Sequence, residues 1–195
     1  MVDILDMSEA TTSTKGWYSR GYLPHLDVPG LLQAVTFHLG DSLPQSALQR
    51  ILLEATDDPT RRRAIERYLD AGHGHCWLGR PEIARVVEDA LLYLDGDHFQ
   101  LLCWVVMPNH LHTLIETLPG HPFGRVVKSW KNYSALTANR LLGRQGSFWA
   151  RDYFDRYIRD DNHLAAVIRY IENNPVKARL VEKPEDWPFS SASRR

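Results

Sequence analysis

The hydrophobic pattern alternates between two periods, and each switch marks an element. Leu32 to Leu39 carries Val35, Thr36 and Phe37 and predicts a strand. Ser42 and Gln45 stand at capping-box spacing with Pro44 in the first turn, predicting a helix through Leu48, Ile51 and Leu52. Asp58-Pro59 starts a second helix with Ile65, Tyr68 and Leu69 on its apolar side, and Gly72 to Gly74 ends it. Cys76 to Leu78 reads as a short strand. Pro81 opens a third helix, with Ile83, Val86, Val87, Ala90, Leu91 and Leu94 at helical spacing. After the turn at Asp95-Gly96-Asp97, Phe99 to Val106 is a strongly apolar strand. Met107-Pro108-Asn109 interrupts it and His110 to Glu116 resumes, which predicts an antiparallel hairpin. Residues 123–142 predict a helix with Val126, Val127, Trp130, Leu136 and Leu141 among its apolar positions. A last helix runs from about Asn162 to Asn173, has Asp160 and Asp161 at its positive end and stops at Pro175. The fold class that follows is α+β: an antiparallel sheet with helices packed on it.

Composition narrows the setting. The 195 residues fit one domain with tails. The expected division is an N-terminal arm over 1–30, one domain over 31–182 and a C-terminal tail over 183–195. No apolar run approaches the roughly 20 residues that span a bilayer. The start, Met1 to Asp6, is acidic and lacks the pattern of a signal peptide, so a cytoplasmic protein with no membrane contact is expected. Cys76 and Cys103 are too few for a disulfide scaffold and read as buried, reduced thiols. The formal net charge is −1, but its distribution is uneven. Arg125, Lys128, Lys131, Arg140, Arg144, Arg151, Arg156 and Arg159 face only Asp152 and Asp155 over residues 125–159. Such a segment is either a phosphate-facing surface or a solvated helix face.

Three groupings could carry chemistry. His110 and His112 alternate on one strand and therefore share a face, with Leu111, Thr113 and Ile115 on the other. Two imidazoles side by side are a platform for a divalent ion, or a pair of ordinary strand histidines. Tyr170 and Asn174 are four apart and meet on one helix face; alternatively Tyr170 is core and Asn174 a C-cap. His73-Gly74-His75-Cys76 looks like half of a zinc site but has no second pair at finger spacing, so it reads as a loop.

The run Trp104-Val105-Val106-Met107-Pro108-Asn109-His110-Leu111-His112 resembles the His-hydrophobic-His motif of single-tyrosine transposases. Tyr170-Ile171-Glu172-Asn173-Asn174-Pro175-Val176-Lys177 resembles their nucleophile helix in the form typical of REP-associated tyrosine transposases. Arg20-Gly21-Tyr22-Leu23-Pro24-His25 and Asp186-Trp187-Pro188-Phe189-Ser190-Ser191 resemble that group's N-terminal arm and tail. The resemblance implies a ferredoxin-like sheet carrying the histidines on a central strand. It implies that Tyr170 attacks a DNA phosphate, giving a 5′-phosphotyrosine and a free 3′-hydroxyl. It also implies a metal site of His110, His112 and Asn174 holding Mg²⁺ or Mn²⁺, and single-stranded DNA hairpins as partners. A monomer and a homodimer both occur in such a family.

Phenols have a pKa near 10, so the nucleophile needs a proton acceptor, for which His163 and Glu172 are conceivable. Tyr153 and Tyr157 are the competing nucleophiles. Phe148, Trp149, Tyr153 and Phe154 suit base stacking, core packing, or both. Arg151 and Arg156 are the foremost expected DNA contacts, with Arg125, Lys128 and Lys131 on the same surface. The rival expectations are a domesticated hairpin-DNA-binding protein with little cleavage, a metal hydrolase that uses water, and a domain whose histidines are incidental.

Overall fold

The computed structural model describes residues 16–19, 24–55 and 57–194. Much of the expected arm, including Arg20 to Leu23, lies outside the described residues. The described part of it forms a hairpin of β1 (Gly16–Ser19) and β2 (Pro24–Asp27). The main sheet contains β3 (Leu32–His38), β4 (Phe99–Val106), β5 (His110–Thr117) and β6 (Phe154–Tyr157). Their order is β4-β5-β3-β6, every pair antiparallel, which makes β5 a central strand of an α+β, ferredoxin-like sheet. β6 arises in the aromatic and basic stretch, where four residues are too few to show a period.

Among the described residues six α-helices accompany the sheet: α1 (Gln45–Glu54), α2 (Asp58–Asp70), α3 (Pro81–Leu92), α4 (Phe123–Leu141), α5 (Asp161–Glu172) and the single turn α6 (Asn174–Lys177). Alternation along the strands fixes which helices pack where. Val35 and Phe37 of β3, Trp104 and Val106 of β4, and Leu111 and Ile115 of β5 join α3 and α4 in the larger core. Cys103, Val105 and Leu114 point the other way, onto Val167 and Ile171 of α5. The C-terminal segment covers the exposed edge of β4: Val106 N–H donates to the Phe189 carbonyl at 2.9 Å, and Phe189 is buried.

Local expectations fail at three places. Cys76 to Leu78 is not a strand, because Cys76 adopts a left-handed conformation (φ 50°) and a 3₁₀ turn follows at Trp77–Gly79. Cys76 is accordingly half-buried, while Cys103 is buried as expected. Ser42 does not cap α1; its hydroxyl donates to the Leu39 carbonyl at 2.9 Å and Pro44 stands at the helix start. Pro175 does not end the helical path but sits in the first turn of α6, where its missing N–H is harmless.

Candidate metal centre and its tyrosine

β5 holds both histidines in the orientation that frees one nitrogen of each. The Asn109 side-chain amide donates to the carbonyls of Leu69 and His73, both at 3.0 Å, so its oxygen faces His110 and accepts from Nδ1 at 2.7 Å. His112 Nδ1 is paired with the Thr36 hydroxyl at 2.7 Å. A proton on Nδ1, which the Asn109 oxygen imposes on His110 and the Thr36 hydroxyl can accept from His112, leaves each Nε2 lone pair free, the arrangement a metal-binding histidine needs. Both Nε2 atoms are buried and have no hydrogen-bond partner. The rings stand nearly perpendicular, with centroids 4.7 Å apart. Burial, with the neighbouring imidazole next, holds His110 neutral well below its ordinary range. Burial pushes His112 down to about 3, assisted by the Lys177 charge.

Asp70 and Tyr170 approach the two histidines, and Asn174 follows Tyr170 along the chain. The C-terminal end of α2, fixed by the Asn109 amide, brings Asp70 Oδ1 to 3.7 Å from His110 Nε2. Asp70 also accepts from Lys177 Nζ at 2.6 Å. α5 places the Tyr170 ring edge-on to His112 at 5.4 Å, and the Lys177 ammonium lies over that ring. Asn174 follows one turn later, fully buried, with both its amide oxygen and nitrogen unpartnered. The Tyr170 hydroxyl is likewise buried without a hydrogen bond of good geometry. Burial raises its pKa, and the negative charges of Glu66 and Asp70 raise it further.

Buried polar atoms are paired in more than nine cases out of ten, because each orphan costs about 1–3 kcal/mol. Here the orphans are Asp70 Oδ1, both histidine Nε2 atoms, the Tyr170 hydroxyl and the Asn174 amide. Ligand atoms of Asp70, His110 and His112 lie within 4.8 Å of one another, so a divalent ion fits them on geometry and donor chemistry alike. The cluster opens on a cleft of about 510 Å³ between α2, α5, β3 and β6.

Residues 82–174, which carry both histidines, Tyr170 and Asn174, match the model of the IS200-like transposases. The similarity to the IS200-like transposases thus lies in the segment that carries these four residues. A Haemophilus influenzae protein grouped with the REP-associated tyrosine transposases is 31% identical over 107 residues, 49% of this chain and 60% of that one. A REP-associated tyrosine transposase of Escherichia coli K12 is 28% identical over 117 residues, 56% of this chain and 65% of that one. The matches thus span less than two thirds of either relative. The solved structure of a REP-associated tyrosine transposase bound to a REP hairpin shares the fold, with a TM-score of 0.58 and 21% identity over 90% of this chain and 84% of that one.

The other singled-out residues separate. Arg156 is exposed on β6 and lines the cleft with Arg62, Arg159, Glu66 and Tyr170. Arg151 is exposed just before β6. Arg125 and Lys128 are exposed on α4, which packs on the opposite face of the sheet from α5, so the common surface expected for all five cations does not form. Lys131 donates to the carbonyls of Ala150 and Arg151 at 2.8 and 3.1 Å. Phe148, Trp149 and Tyr153 are core, and the Tyr153 hydroxyl pairs with that of Tyr18 at 2.9 Å. Tyr157 is more exposed and stacks edge-on against Trp17. Asp70 and Glu66 escaped the sequence reading because they lie 40 or more residues from the histidines, on a helix so charged that it resembles a solvated face.

Proposed function

We propose that this chain is a metal-dependent transposase and endonuclease that cuts and rejoins single-stranded DNA at hairpin sequences through Tyr170. The observation that carries the reading is the set of orphaned buried atoms around His110 and His112, with a tyrosine hydroxyl among them. His110, His112 and Asn174 are the residues we assign to the ion, with Asp70 beside them. The mixture of imidazole and oxygen donors suits Mn²⁺ and admits Mg²⁺. A divalent ion bound there supplies positive charge against a non-bridging phosphate oxygen.

The remaining steps belong to the chain's own groups. The Tyr170 Oη–phosphorus bond forms, the bond to the 3′-oxygen breaks, and a 5′-phosphotyrosine remains. The ester keeps the bond energy of the diester, so a 3′-hydroxyl can reverse the step and rejoin the strand. Arg156, with Arg151, binds the backbone of the strand, and Arg62 and Arg159 continue the positive wall of the cleft. The hairpin bound in the structural relative supports hairpin DNA as the partner, and the absence of a sufficiently long apolar helix among the described residues is compatible with a cytoplasmic site of action.

The test mixes the protein with end-labelled hairpin strands from the flanks of its own gene and Mn²⁺, and resolves the products under denaturing conditions. The expected result is a covalent protein–DNA adduct that Tyr170→Phe abolishes. An adduct that survives Tyr170→Phe moves the nucleophile elsewhere, with Tyr157 next on the cleft. Tight binding without an adduct points to a hairpin-binding protein that does not cut.

A further inference from the structure

The reading above leaves one proton unassigned: a phenol attacking a phosphodiester at neutral pH must lose it to something. The candidates visible in sequence are occupied. Glu172 Oε1 accepts from the Ser191 hydroxyl at 2.9 Å, and His163 Nδ1 accepts from the Arg159 backbone N–H at 3.2 Å. His112 uses Nδ1 for Thr36, and Asp70 is held by Lys177. Helix α2 offers another group. Glu66 and Asp70 are four apart and so lie on one face of α2, one helical turn from each other. Asp70 points to the histidines, whereas Glu66 lines the same cleft as Tyr170 and the charge on its carboxylate acts on the tyrosine hydroxyl.

We propose that Glu66 is the general base for Tyr170: its carboxylate takes the Oη proton as Oη bonds to phosphorus. The bond from phosphorus to the 3′-oxygen breaks, and that oxygen takes a proton from water. In rejoining, an incoming 3′-hydroxyl gives its proton to water, and Glu66 returns its proton to Tyr170 Oη as the ester bond breaks. The inference rests on the tyrosine-transposase reading and names the acceptor that this reading lacks.

The surroundings of Glu66 suit the task. Burial holds its carboxyl above the usual range, against the opposing pull of Lys177 from α6 and Arg156 from β6. Asp70 on its own helix raises it further, and the Tyr170 hydroxyl from α5 lowers it. An acid nearer neutrality is better matched to proton transfer than an ordinary exposed glutamate. Helix α2 would then contribute twice, with one carboxylate beside the ion and one beside the nucleophile.

The experiment compares the parent, Glu66→Gln and Tyr170→Phe in single-turnover adduct formation with the labelled hairpin strands and Mn²⁺, from acid to neutral pH. The expected result for Glu66→Gln is an adduct rate about 10²–10⁴-fold below the parent, with the parent's acid limb flattened. Strand binding by fluorescence anisotropy and Mn²⁺ affinity stay at parental values, which shows the fold intact. A second readout needs neither metal nor DNA: in carboxyl carbon-13 NMR of the metal-free protein, Tyr170→Phe shifts the Glu66 titration upward. Glu66→Gln that keeps the parental rate and pH profile overturns the base while leaving Tyr170 as nucleophile. A Glu66 titration indifferent to Tyr170→Phe removes the interaction on which the proposal stands. A parent that forms no adduct overturns the transposase reading itself, and the proposal with it.

Discussion

Two of the buried polar clusters among the described residues are built on different terms. In one, β2 docks on β6 through His25, whose Nε2 pairs with Asp152 at 2.9 Å and whose Nδ1 pairs with Asp155. Asp155 also accepts from the Leu26 backbone N–H at 3.1 Å, and Gln33 donates to the Leu26 carbonyl at 2.7 Å. In the other, His110, His112, Asp70, Asn174 and Tyr170 bring a comparable load of polar atoms together and leave five of those residues with an unpaired atom. Burial lowers the pKa of His25, but its hydrogen bonds to Asp152 and Asp155 and their charges outweigh this and lift it to about 9. Heavier burial, with no bonded carboxylate to oppose it, drives His112 down to about 3. The two imidazoles therefore differ both in how deeply they are desolvated and in what their neighbours supply. The first cluster satisfies both nitrogens of its histidine, leaving Gln33 Oε1 and Asp152 Oδ2 as its open acceptors, and holds the hairpin in place. The second is complete only with something added, and that incompleteness marks it as the functional one.

Substitutions should separate the two clusters by kind of effect. The largest change in stability is expected for His25→Leu, which strands Asp152 and Asp155 as buried charges; unfolding in denaturant should show a loss of about 3–5 kcal/mol with Mn²⁺ affinity unchanged. A loss below about 1 kcal/mol would mean that the hairpin docks without the cluster. Next comes Asn109→Ala, which releases both the His110 proton and the carbonyls at the end of α2. Mn²⁺ affinity measured by calorimetry should fall about 10–100-fold, the usual effect of losing a partner that orients a ligand. The pH dependence of stability follows in size. His25 is raised from its ordinary 6.5 to about 9, so its contribution is fully present below 6.5 and is lost as pH rises through about 9. Melting temperature should decline across that window in the parent and not in His25→Leu. The smallest effect is expected for Arg156→Ala, which should reduce the salt dependence of single-strand binding by about 0.7 in log–log slope, one phosphate contact.

The sequence shows the pieces whose period is long enough to repeat. Helices α3, α4 and α5 and the β4–β5 hairpin follow their apolar spacing, and the shared face of His110 and His112 follows from alternation alone. Tyr170 and Asn174 follow from helical spacing, although their helix breaks at Asn173 between them. What stays hidden depends on contacts distant along the chain. Asp155 looks like a surface residue until His25 from the N-terminal hairpin buries it. Asp27 looks like a turn residue, yet it accepts from the Phe123 N–H at 2.9 Å and so caps α4 from 96 positions away. The charges of Arg125 and Lys128 were legible, but which face of the sheet α4 covers was not, and that face decides whether they reach the cleft.

The central claim is that the orphaned atoms form a metal site, and Mn²⁺ titration of the metal-free protein tests it most directly, with parent and His112→Leu compared by calorimetry and by thermal unfolding. The account predicts one bound Mn²⁺ and a raised melting temperature in the parent. It predicts no binding in His112→Leu, whose metal-free form stays folded, because the orphaned buried Nε2 is removed at the cost of the Thr36 hydrogen bond. A parent that takes up no Mn²⁺, or a His112→Leu variant that binds it equally well, would contradict the account.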